Sequence, residues 1–571
     1  PKTPKPRKIE ILNIMSQEFL ESFLVNDADM CDELKRSSNA SYEMLNEKYM
    51  IRRAKKEPML QYANLYYLRL QKLKPALKEA AIAKWVTPTK NGADVPEIVE
   101  NILDMKQKTT TIIIGTFYKE QQKKPTILQN IMGCIPADKT APQSLITTDE
   151  DAKVSLSQQA DKDTVVKPDV GVIEDRSGRI NVAGSEVFDI HSFVSGSVLA
   201  LKGKAIDGGY FIVEDYCLAG VPLNPQVPKE SLVGQKRDLY DFQLMRDPGR
   251  RKFIAFASGL DFGAPHADKA AEFITTFLRG ELFGVIHTPD GQLDQRVLPA
   301  QIQRLVLCGN STMQPEKIDE VQRGSYRTAK TNTDVYTSIK NSYISMDTWL
   351  EKLAAIIDVD VIPGANDFSN SFLPQQPLNS CMFPTLVEKN VTSLNLTPNP
   401  HQFKMDGLIF LGTAGQNIHD ILRNRRNIDE LGAAVHTMEL RHLCPTAPDT
   451  LRVHPFKEHD PFVVADSDLQ LNDDDEMAGE SKDKQSIYTV VPHVYFVGNA
   501  SKYAEKLVQE DKQFMKVFTV PAFSQTHSMV LLDTATLETY EITFSPPTVA
   551  AGSPEKVQTP VSTDEKMAED G

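Results

Sequence analysis

Hydrophobic residues recur along this chain with two different spacings, and the first of these is helical. Between residues 59 and 85, leucines and alanines return every three or four positions, which predicts an amphipathic helix. We expect Pro75 to break or kink this helix, because proline lacks the amide hydrogen that a helix interior uses. Tyr62, Tyr66 and Tyr67 lie on the same stretch, and an aromatic stripe at this spacing is typical of packing.

The second spacing is that of strands, and it predicts a small barrel. Residues 112–118 form an apolar run, and two further pairs of strand-like segments flank Arg176-Ser177-Gly178 and Asp207-Gly208-Gly209. Such short, glycine-containing connections are typical of β-hairpins. One strand and two hairpins give about five strands, a number that suits an OB-fold barrel. We place the barrel at residues 101–222, after a helical region at residues 49–100.

From residue 252 onward, apolar strands alternate with helical segments, which predicts an α/β sandwich. We place this domain at residues 251–545. The fold class is therefore mixed, with a short helical N-terminal region, a barrel and an α/β domain. The predicted strands and helices of the third part are residues 253–257, 266–278, 305–308, 335–356, 359–362, 403–405, 408–411, 429–440, 494–497, 517–521, 529–532 and 540–544.

Polar segments separate and flank these domains. Their low hydrophobicity predicts that they do not pack into a core. They are a flexible N-terminal arm at residues 1–48, a mobile insertion near residues 136–168, a linker at residues 223–250, an acidic insertion near residues 465–486 and a disordered tail at residues 546–571.

Charge and cysteine usage narrow the classes of function. The 571 residues carry a net charge of −14, which argues against a freestanding nucleic-acid-binding protein. No apolar run reaches the roughly 18 residues that a transmembrane helix needs. The 6 cysteines include no C-x-x-C pair, so a zinc ribbon or an iron–sulfur site is not expected. The sequence therefore predicts no cofactor.

Four loops that follow predicted strands have the glycine spacing of a two-metal hydrolase site without its ligands. They are Ser258-Gly259-Leu260, Gly309-Asn310-Ser311-Thr312-Met313, Gly364-Ala365-Asn366-Asp367 and Gly498-Asn499-Ala500-Ser501. The α/β domain thus resembles the calcineurin-like phosphoesterases, whose corresponding loops supply aspartates and histidines. Two divalent ions need several anionic oxygens and imidazoles, and leucine and methionine supply neither.

This resemblance implies an inactive domain with no catalytic residue and no metal site. The former metal-site positions would be Ser258, Leu260, Asn310, Met313, Asn366, Asp367, Asn499 and Ser501. In the third loop, Asp367 matches the acidic ligand, whereas a shift of one residue would place Asn366 on the asparagine ligand. An active metallophosphoesterase is the less favoured alternative, because the carboxylate that bridges the two metals is not present.

Several short strings resemble the B-family of accessory subunits of replicative DNA polymerases, and specifically the delta type. They lie on the barrel and in the α/β domain. The strings are FVSGSVLA at residues 193–200, VEDYC at 213–217, LPQQPL at 373–378, CMFP at 381–384, NPH at 399–401, FLGTAGQN at 410–417 and CPTAPDT at 444–450. The likeness covers roughly residues 49–545.

The resemblance implies a non-catalytic scaffold in the nucleus. Such subunits hold the C-terminal metal-binding module of the polymerase delta catalytic subunit and a third, clamp-binding subunit. The resemblance also implies that the same scaffold serves polymerase zeta. A single-stranded-DNA-binding accessory module stays open as an alternative, because the barrel carries Lys202 and Lys204, although Glu174 and Glu214 accompany them.

Overall fold

The computed structural model describes most of the barrel and of the α/β domain. It covers residues 41–51, 62–86, 95–121, 169–185, 187–206, 208–222, 252–282, 285–287, 298–313, 329–454, 460, 462, 491–510 and 513–544. The insertion near 136–168, the linker at 223–250, the acidic insertion near 465–486, the tail at 546–571 and residues 1–40 of the arm lie outside these ranges. In the described part, no helix combines the length and the apolar character needed to span a bilayer.

The predicted barrel is present and closed. Its strands are ordered β3-β4-β5-β7-β6, and β6 pairs again with β3, the topology of an OB-fold. The β5–β7 pair is parallel and the other pairs around the barrel are antiparallel. The barrel strands are β3 (Thr110–Glu120), β4 (Val170–Glu174), β5 (Arg179–Ala183), β6 (Val198–Ile206) and β7 (Tyr210–Cys217). A further short strand, β2 (Glu97–Ile98), pairs with β3 and extends the sheet.

Alternate residues of β3 serve two different cores. Ile113 and Phe117 point into the barrel, where they are fully or almost fully buried. Ile112 and Ile114 point outward and pack with Leu73 of helix α1 (Tyr62–Ala81). This division follows from the two-residue period of a strand. The helix therefore covers one outer face of the barrel.

The predicted helix is confirmed as α1, and of the break or kink predicted at Pro75 the break does not occur. Pro75 lies inside the continuous helix Tyr62–Ala81, which ends in a π turn at Ile82–Val86. Leu73 and Leu77 on either side of Pro75 are fully buried against the barrel. This packing stabilises the helix through the position where proline removes a hydrogen bond.

The α/β domain consists of two sheets packed face to face, with helices on both outer faces. The first sheet has the order β12-β11-β10-β8-β18-β19-β9 and the second has the order β1-β13-β14-β15-β17-β16. The strands are β1 (Tyr42–Met44), β8 (Phe253–Ala257), β9 (Val285–His287), β10 (Ile302–Cys308), β11 (Asp358–Ile362), β12 (Leu394–Leu396), β13 (His401–Met405), β14 (Leu408–Thr413), β15 (Val494–Ala500), β16 (Ala504–Glu510), β17 (Gln513–Pro521), β18 (Ser528–Asp533) and β19 (Thr539–Thr543).

Three apolar layers hold this sandwich together. Between the sheets, Phe256 packs against Phe496 and Phe518 with ring centroids 4.7 Å and 5.1 Å away. Helices α2, α4 and α5 cover the first sheet, and α6 and α7 cover the second. The helices of the domain are α2 (Ala267–Leu278), α3 (Leu298–Gln301), α4 (Ala329–Ala354), α5 (Pro384–Glu388), α6 (Gln416–Asn424), α7 (Glu430–Glu439) and α8 (Phe523–Thr526).

The predicted N-terminal arm extends too far, because its last residues belong to the sandwich. Residues 42–44 form β1, which pairs antiparallel with β13 from Tyr42 opposite Met405 to Met44 opposite Phe403. Next to this strand, the Asn46 side chain accepts from the backbone nitrogen of Gln402 at 2.7 Å. The polar composition of this stretch predicts an arm, but a three-residue edge strand needs few apolar positions.

The barrel is fixed to the sandwich through Arg69, a buried residue of α1. Its guanidinium donates to three backbone carbonyls, those of Gly196 in the barrel (3.1 Å) and of Pro445 and Ala447 in the sandwich (3.1 and 2.8 Å). Val194 of the barrel also joins the apolar core around α6 and α7. Barrel, helix and sandwich therefore share one interface.

Candidate functional site

Loops at the carboxyl ends of the parallel strands meet at one edge of the sandwich. The backbone nitrogen of Gly259 donates to the Gly309 carbonyl at 2.9 Å, which joins the loops after β8 and β10. The backbone nitrogen of Asn366 donates to Oδ1 of Asn310 at 3.1 Å, which joins the loop after β11 to that after β10. The carboxyl edge of such a sheet is the usual place for a ligand.

Ser258 connects this edge to the strand beside it. Its hydroxyl lies 3.0 Å from the carbonyls of both Val520 and Pro521 and accepts from the backbone nitrogen of Asn499 at 2.9 Å. The side chain is 1% exposed. Its hydrogen-bonding capacity is thus used inside the protein.

Asn499 ties the ends of three strands together. Its Nδ2 donates to the Cys308 carbonyl at 3.1 Å and to the Ala414 carbonyl at 3.0 Å. The residue has φ +58°, a left-handed conformation that asparagine tolerates better than most residues. Its Oδ1 is buried and has no hydrogen-bond partner among the described residues. A neutral amide thus holds the centre of this edge.

Asp367 is turned inward and caps its own loop. Its Oδ1 accepts from the backbone nitrogen and the hydroxyl of Thr312 at 2.9 and 3.0 Å, and its Oδ2 accepts from the backbone nitrogen of Gly364 at 2.7 Å. Burial raises the pKa of Asp367, although these hydrogen bonds oppose the change. The carboxylate therefore fixes two loops to each other.

The two predicted apolar positions behave differently. Leu260 is 2% exposed and belongs to the core beneath α2 and α4. Met313 is half-buried, and its backbone nitrogen donates to the Phe262 carbonyl at 2.8 Å. Neither side chain carries an oxygen or nitrogen that could bind a hard cation.

Ser501 is the predicted position that points away from this group. It is exposed, and its hydroxyl donates to Oε2 of Glu430 at 2.8 Å. Its backbone nitrogen donates to the same carboxylate. Because Glu430 is the first residue of α7, Ser501 anchors a helix start.

The loops approach one another so closely that glycine is required at two points. A Cβ on Gly309, which has φ +84°, would lie 2.4 Å from Cβ of Ala414. A Cβ on Gly498 would lie 2.2 Å from the Cys308 carbonyl oxygen. Real Cβ atoms do not come this near to other heavy atoms, so the glycines keep the strand ends in contact.

One further carboxylate lies beside the group. Asp261 accepts from the Ser524 hydroxyl at 2.7 Å and has φ +52°. Burial, with a smaller contribution from Asp367, raises the pKa of Asp261. Within the described ranges, no three His, Cys, Asp or Glu side chains are grouped so that they could hold a metal ion.

An amide cluster behind the loops was not predicted as part of the site. The Asn399 side chain donates to Oε1 of both Gln375 and Gln416 at 2.9 Å, and Gln416 Nε2 donates to Gln375 Oε1 at 2.8 Å. The signal was present in the strings LPQQPL, NPH and FLGTAGQN, which contain these residues. The structure brings the three strings together.

Comparisons with known proteins match both domains. The family of DNA polymerase delta subunit OB-fold domains matches residues 61–216, and the B-subunit family of DNA polymerases alpha and epsilon matches residues 254–469. The first match coincides with α1 and the barrel, and the second begins at β8 of the sandwich.

Named relatives extend the likeness to nearly the whole chain. A DNA polymerase delta small subunit of Arabidopsis thaliana is 30% identical over 523 residues, which are 91% of this chain and 98% of the relative. One of Oryza sativa subsp. japonica is 30% identical over 89% of this chain and 98% of the relative. One of Saccharomyces cerevisiae is 26% identical, covering 84% and 88%. The resemblance inferred from the short strings is confirmed, and this chain belongs to the family of DNA polymerase delta small subunits.

Proposed function

We propose that this chain is a non-catalytic scaffold of DNA polymerase delta. Its family makes it an accessory subunit of that polymerase and places it in DNA replication. Within that polymerase, the chain acts in the nucleus and bridges the C-terminal metal-binding module of the catalytic subunit and a third, clamp-binding subunit. The observation that carries the proposal is the likeness to delta small subunits over 91% of the chain, barrel and sandwich included.

The junction at Arg69 supports a scaffold role. Three carbonyls from two domains accept hydrogen bonds from one buried guanidinium, so the barrel is held in a fixed orientation. A rigid body spends little binding free energy on its own ordering when it holds two partners. This property suits a subunit whose task is to set the distance between other proteins.

We further infer that the α/β domain is a phosphoesterase-like domain that has lost its metal site. The support comes from the loops at the sheet edge, where the Ser258 hydroxyl, Nδ2 of Asn499 and the Asp367 carboxylate form hydrogen bonds with backbone groups. A water activated by two metals would need carboxylates and imidazoles facing a common point. Manganese-dependent hydrolysis of an aryl phosphodiester by the purified chain would contradict this inference.

The charge pattern of the barrel favours the scaffold over the single-stranded-DNA-binding alternative. Lys204 lies 3.3 Å from Glu214, and Lys202 is opposite Asp215 in the strand register. Lysines paired with carboxylates attract phosphates less than unpaired lysines do. We therefore expect little oligonucleotide binding by the isolated chain at physiological salt.

Reconstitution tests the bridging role directly. The purified full chain is mixed with the C-terminal module of the catalytic subunit and with the third subunit, all from one organism, and analysed by size-exclusion chromatography with light scattering. A ternary complex that forms only when this chain is present supports the proposal. Association of the other two proteins without this chain would contradict it.

A further inference from the structure

A surface rich in tyrosine and carboxylate lies where α1, the barrel and the sandwich meet. Outward-facing residues of β3 continue from Ile112 and Ile114, which α1 covers, to Tyr118, which is 37% exposed. Across the contact between α1 and the barrel, α1 begins with Tyr62, which is 42% exposed. The sequence interpretation of the aromatic stripe as packing is therefore only partly right.

Two of the tyrosines, Tyr62 and Tyr66, are held in place by contacts with the sandwich and with Arg69. The Tyr62 hydroxyl donates to the Val453 carbonyl of the sandwich at 3.0 Å. The half-buried Tyr66 ring lies against Arg69, whose guanidinium carbon is 5.4 Å from the ring centre. Arg69 in turn is fixed by its three carbonyl partners. The rings of Tyr62 and Tyr66 therefore occupy defined positions before any partner binds.

Two carboxylates lie near these rings. Glu174 is opposite Thr116 in the strand register and so shares the outer face of β3 with Tyr118, and Asp449 follows two residues after Ala447, whose carbonyl accepts from Arg69. Asp449 of the sandwich and Glu174 of the barrel both act on the Tyr66 hydroxyl, and together with burial, the largest cause, they raise the pKa of Tyr66 to about 12. Glu174 is exposed and Asp449 is half-buried. Arg179 stands opposite Glu174 in the strand register and 4.0 Å from Glu120, so one cation accompanies these acids.

The charges of the four exposed or half-exposed groups leave a net negative surface. Glu120, Glu174 and Asp449 contribute −3 and Arg179 contributes +1, which gives −2. Arg69 is buried behind the rings and is already bonded to carbonyls. Aromatic faces next to carboxylates recognise guanidinium and ammonium groups, whereas the same carboxylates repel a phosphate backbone.

We propose that Tyr62, Tyr66, Tyr118, Glu174 and Asp449, here called the junction surface, bind a basic segment of another protein subunit that contains arginine or lysine. The inference rests on the proposed scaffold function and adds where and by what chemistry a partner is held. Because the five residues come from α1, the barrel and the sandwich, the surface is complete only when the barrel is docked. A partner bound there would recognise the assembled form of this subunit.

A pair of double variants tests the proposal with a matched control. Tyr118→Ala with Glu174→Gln removes a ring and a charge from the junction surface. Tyr210→Ala with Glu214→Gln makes the same changes elsewhere on the barrel, where Tyr210 is 42% exposed and Glu214 is also exposed. Circular dichroism and thermal unfolding establish that both variants fold.

The readout is the affinity of each full-length protein for two purified probes, the C-terminal module of the catalytic subunit and the third subunit. We expect the junction variant to bind one probe roughly tenfold more weakly than wild type, and the control variant to bind both normally. Glu174→Lys should weaken binding further than Glu174→Gln does. Higher salt should reduce the difference in affinity between these two variants, because it screens charge.

The outcomes separate this inference from the proposed function. If wild type binds the probes and the junction variant binds both as wild type does, the inference is wrong and the scaffold function stands. If wild type binds neither probe, the proposed function fails and the inference with it. If the junction variant instead loses affinity for a single-stranded oligonucleotide, the surface binds nucleic acid and the proposal is overturned.

Discussion

The guanidinium carbon of Arg304 lies 3.5 Å from the centre of the Tyr42 ring, and the Tyr42 hydroxyl donates to Oδ2 of Asp360 at 2.9 Å. Arg304 also donates to Asp360 at 2.7 Å and to Asp358 at 3.1 Å. Tyr42 belongs to the second sheet, whereas Arg304 and Asp360 belong to the first. This cluster therefore connects the first described strand of the chain to both layers of the sandwich.

The Tyr42 contacts predict a graded loss of stability. Tyr42→Phe keeps the ring over Arg304 but leaves Asp360 without one donor, which should cost about 1–2 kcal/mol. Tyr42→Ala removes the ring as well and should cost about 3 kcal/mol. Urea unfolding measures both, and Met44→Ala, at a 51% exposed position of the same strand, is the control. Equal losses for Tyr42→Phe and Tyr42→Ala would contradict the role of the ring.

Introducing an acid at position 258 should destabilise the protein without creating a metal site. An aspartate there would face the carbonyl oxygens of Val520 and Pro521 in a buried position, which should cost about 3 kcal/mol or more. Ser258→Ala loses only hydrogen bonds and should cost about 1–2 kcal/mol. Thermal unfolding with and without manganese gives the measurement.

Adding Asn310→Asp to Ser258→Asp should leave the protein without phosphodiesterase activity, because no histidine is supplied. A rise in melting temperature of the double variant with manganese, or turnover of an aryl phosphodiester, would show that the loops can still assemble a metal site.

The contacts of Arg69 predict that the barrel and the sandwich of the wild-type protein unfold together. Arg69→Met leaves the carbonyls of Gly196, Pro445 and Ala447 without their donor, and we expect a loss of about 3 kcal/mol. Lysine cannot replace the planar guanidinium with its several donors, so Arg69→Lys should recover less than half of the loss. Scanning calorimetry should then show barrel and sandwich unfolding in separate transitions. Arg179→Met, an exposed change, is the control, and a single transition for Arg69→Met would contradict the prediction.

Asp460 predicts a pH dependence of stability. Burial raises the pKa of its carboxyl from 3.8 to about 6, while the backbone nitrogens of Leu443 and Phe462 and the charges of Arg69 and Lys48 oppose the change. The folded protein thus binds this proton more tightly than the unfolded chain does. The stabilisation is complete below the unfolded pKa and is lost as the pH rises through 6.

Between about pH 4 and pH 7, wild type should therefore lose about 2–3 kcal/mol relative to Asp460→Asn. Urea unfolding at a series of pH values measures the difference. Asp104→Asn, in an exposed turn, is the matched control. A constant gap between wild type and Asp460→Asn across this range would show that the carboxyl does not titrate in the folded protein.

The barrel was predictable from sequence because its turns are local signals. Arg176-Ser177-Gly178 and Asp207-Gly208-Gly209 place both hairpins within a few residues of the observed strands. Strand β1 could not be found in the same way. It consists of three residues whose partner lies at Phe403–Met405, and such a distant pairing leaves no local pattern.

The candidate site was predictable as a set of loops but not as a set of contacts. Glycine spacing after the strands indicated that Ser258, Asn310 and Asn499 would come together, and hydrogen bonds link their loops directly. The outward turn of Ser501 depends on Glu430 at the start of α7. No spacing rule contains that partner, because helix placement is decided by tertiary packing.

The amide of Asn499 sets how this edge of the protein responds to its surroundings. Its uncharged Nδ2 donates to the carbonyls of Cys308 and Ala414, and an amide does not gain or lose a proton at physiological pH. Chelators, changes in divalent ion supply and moderate acidification would therefore leave these strand ends in place. We therefore expect this edge to keep its shape in EDTA, because protein groups form the contacts that hold it.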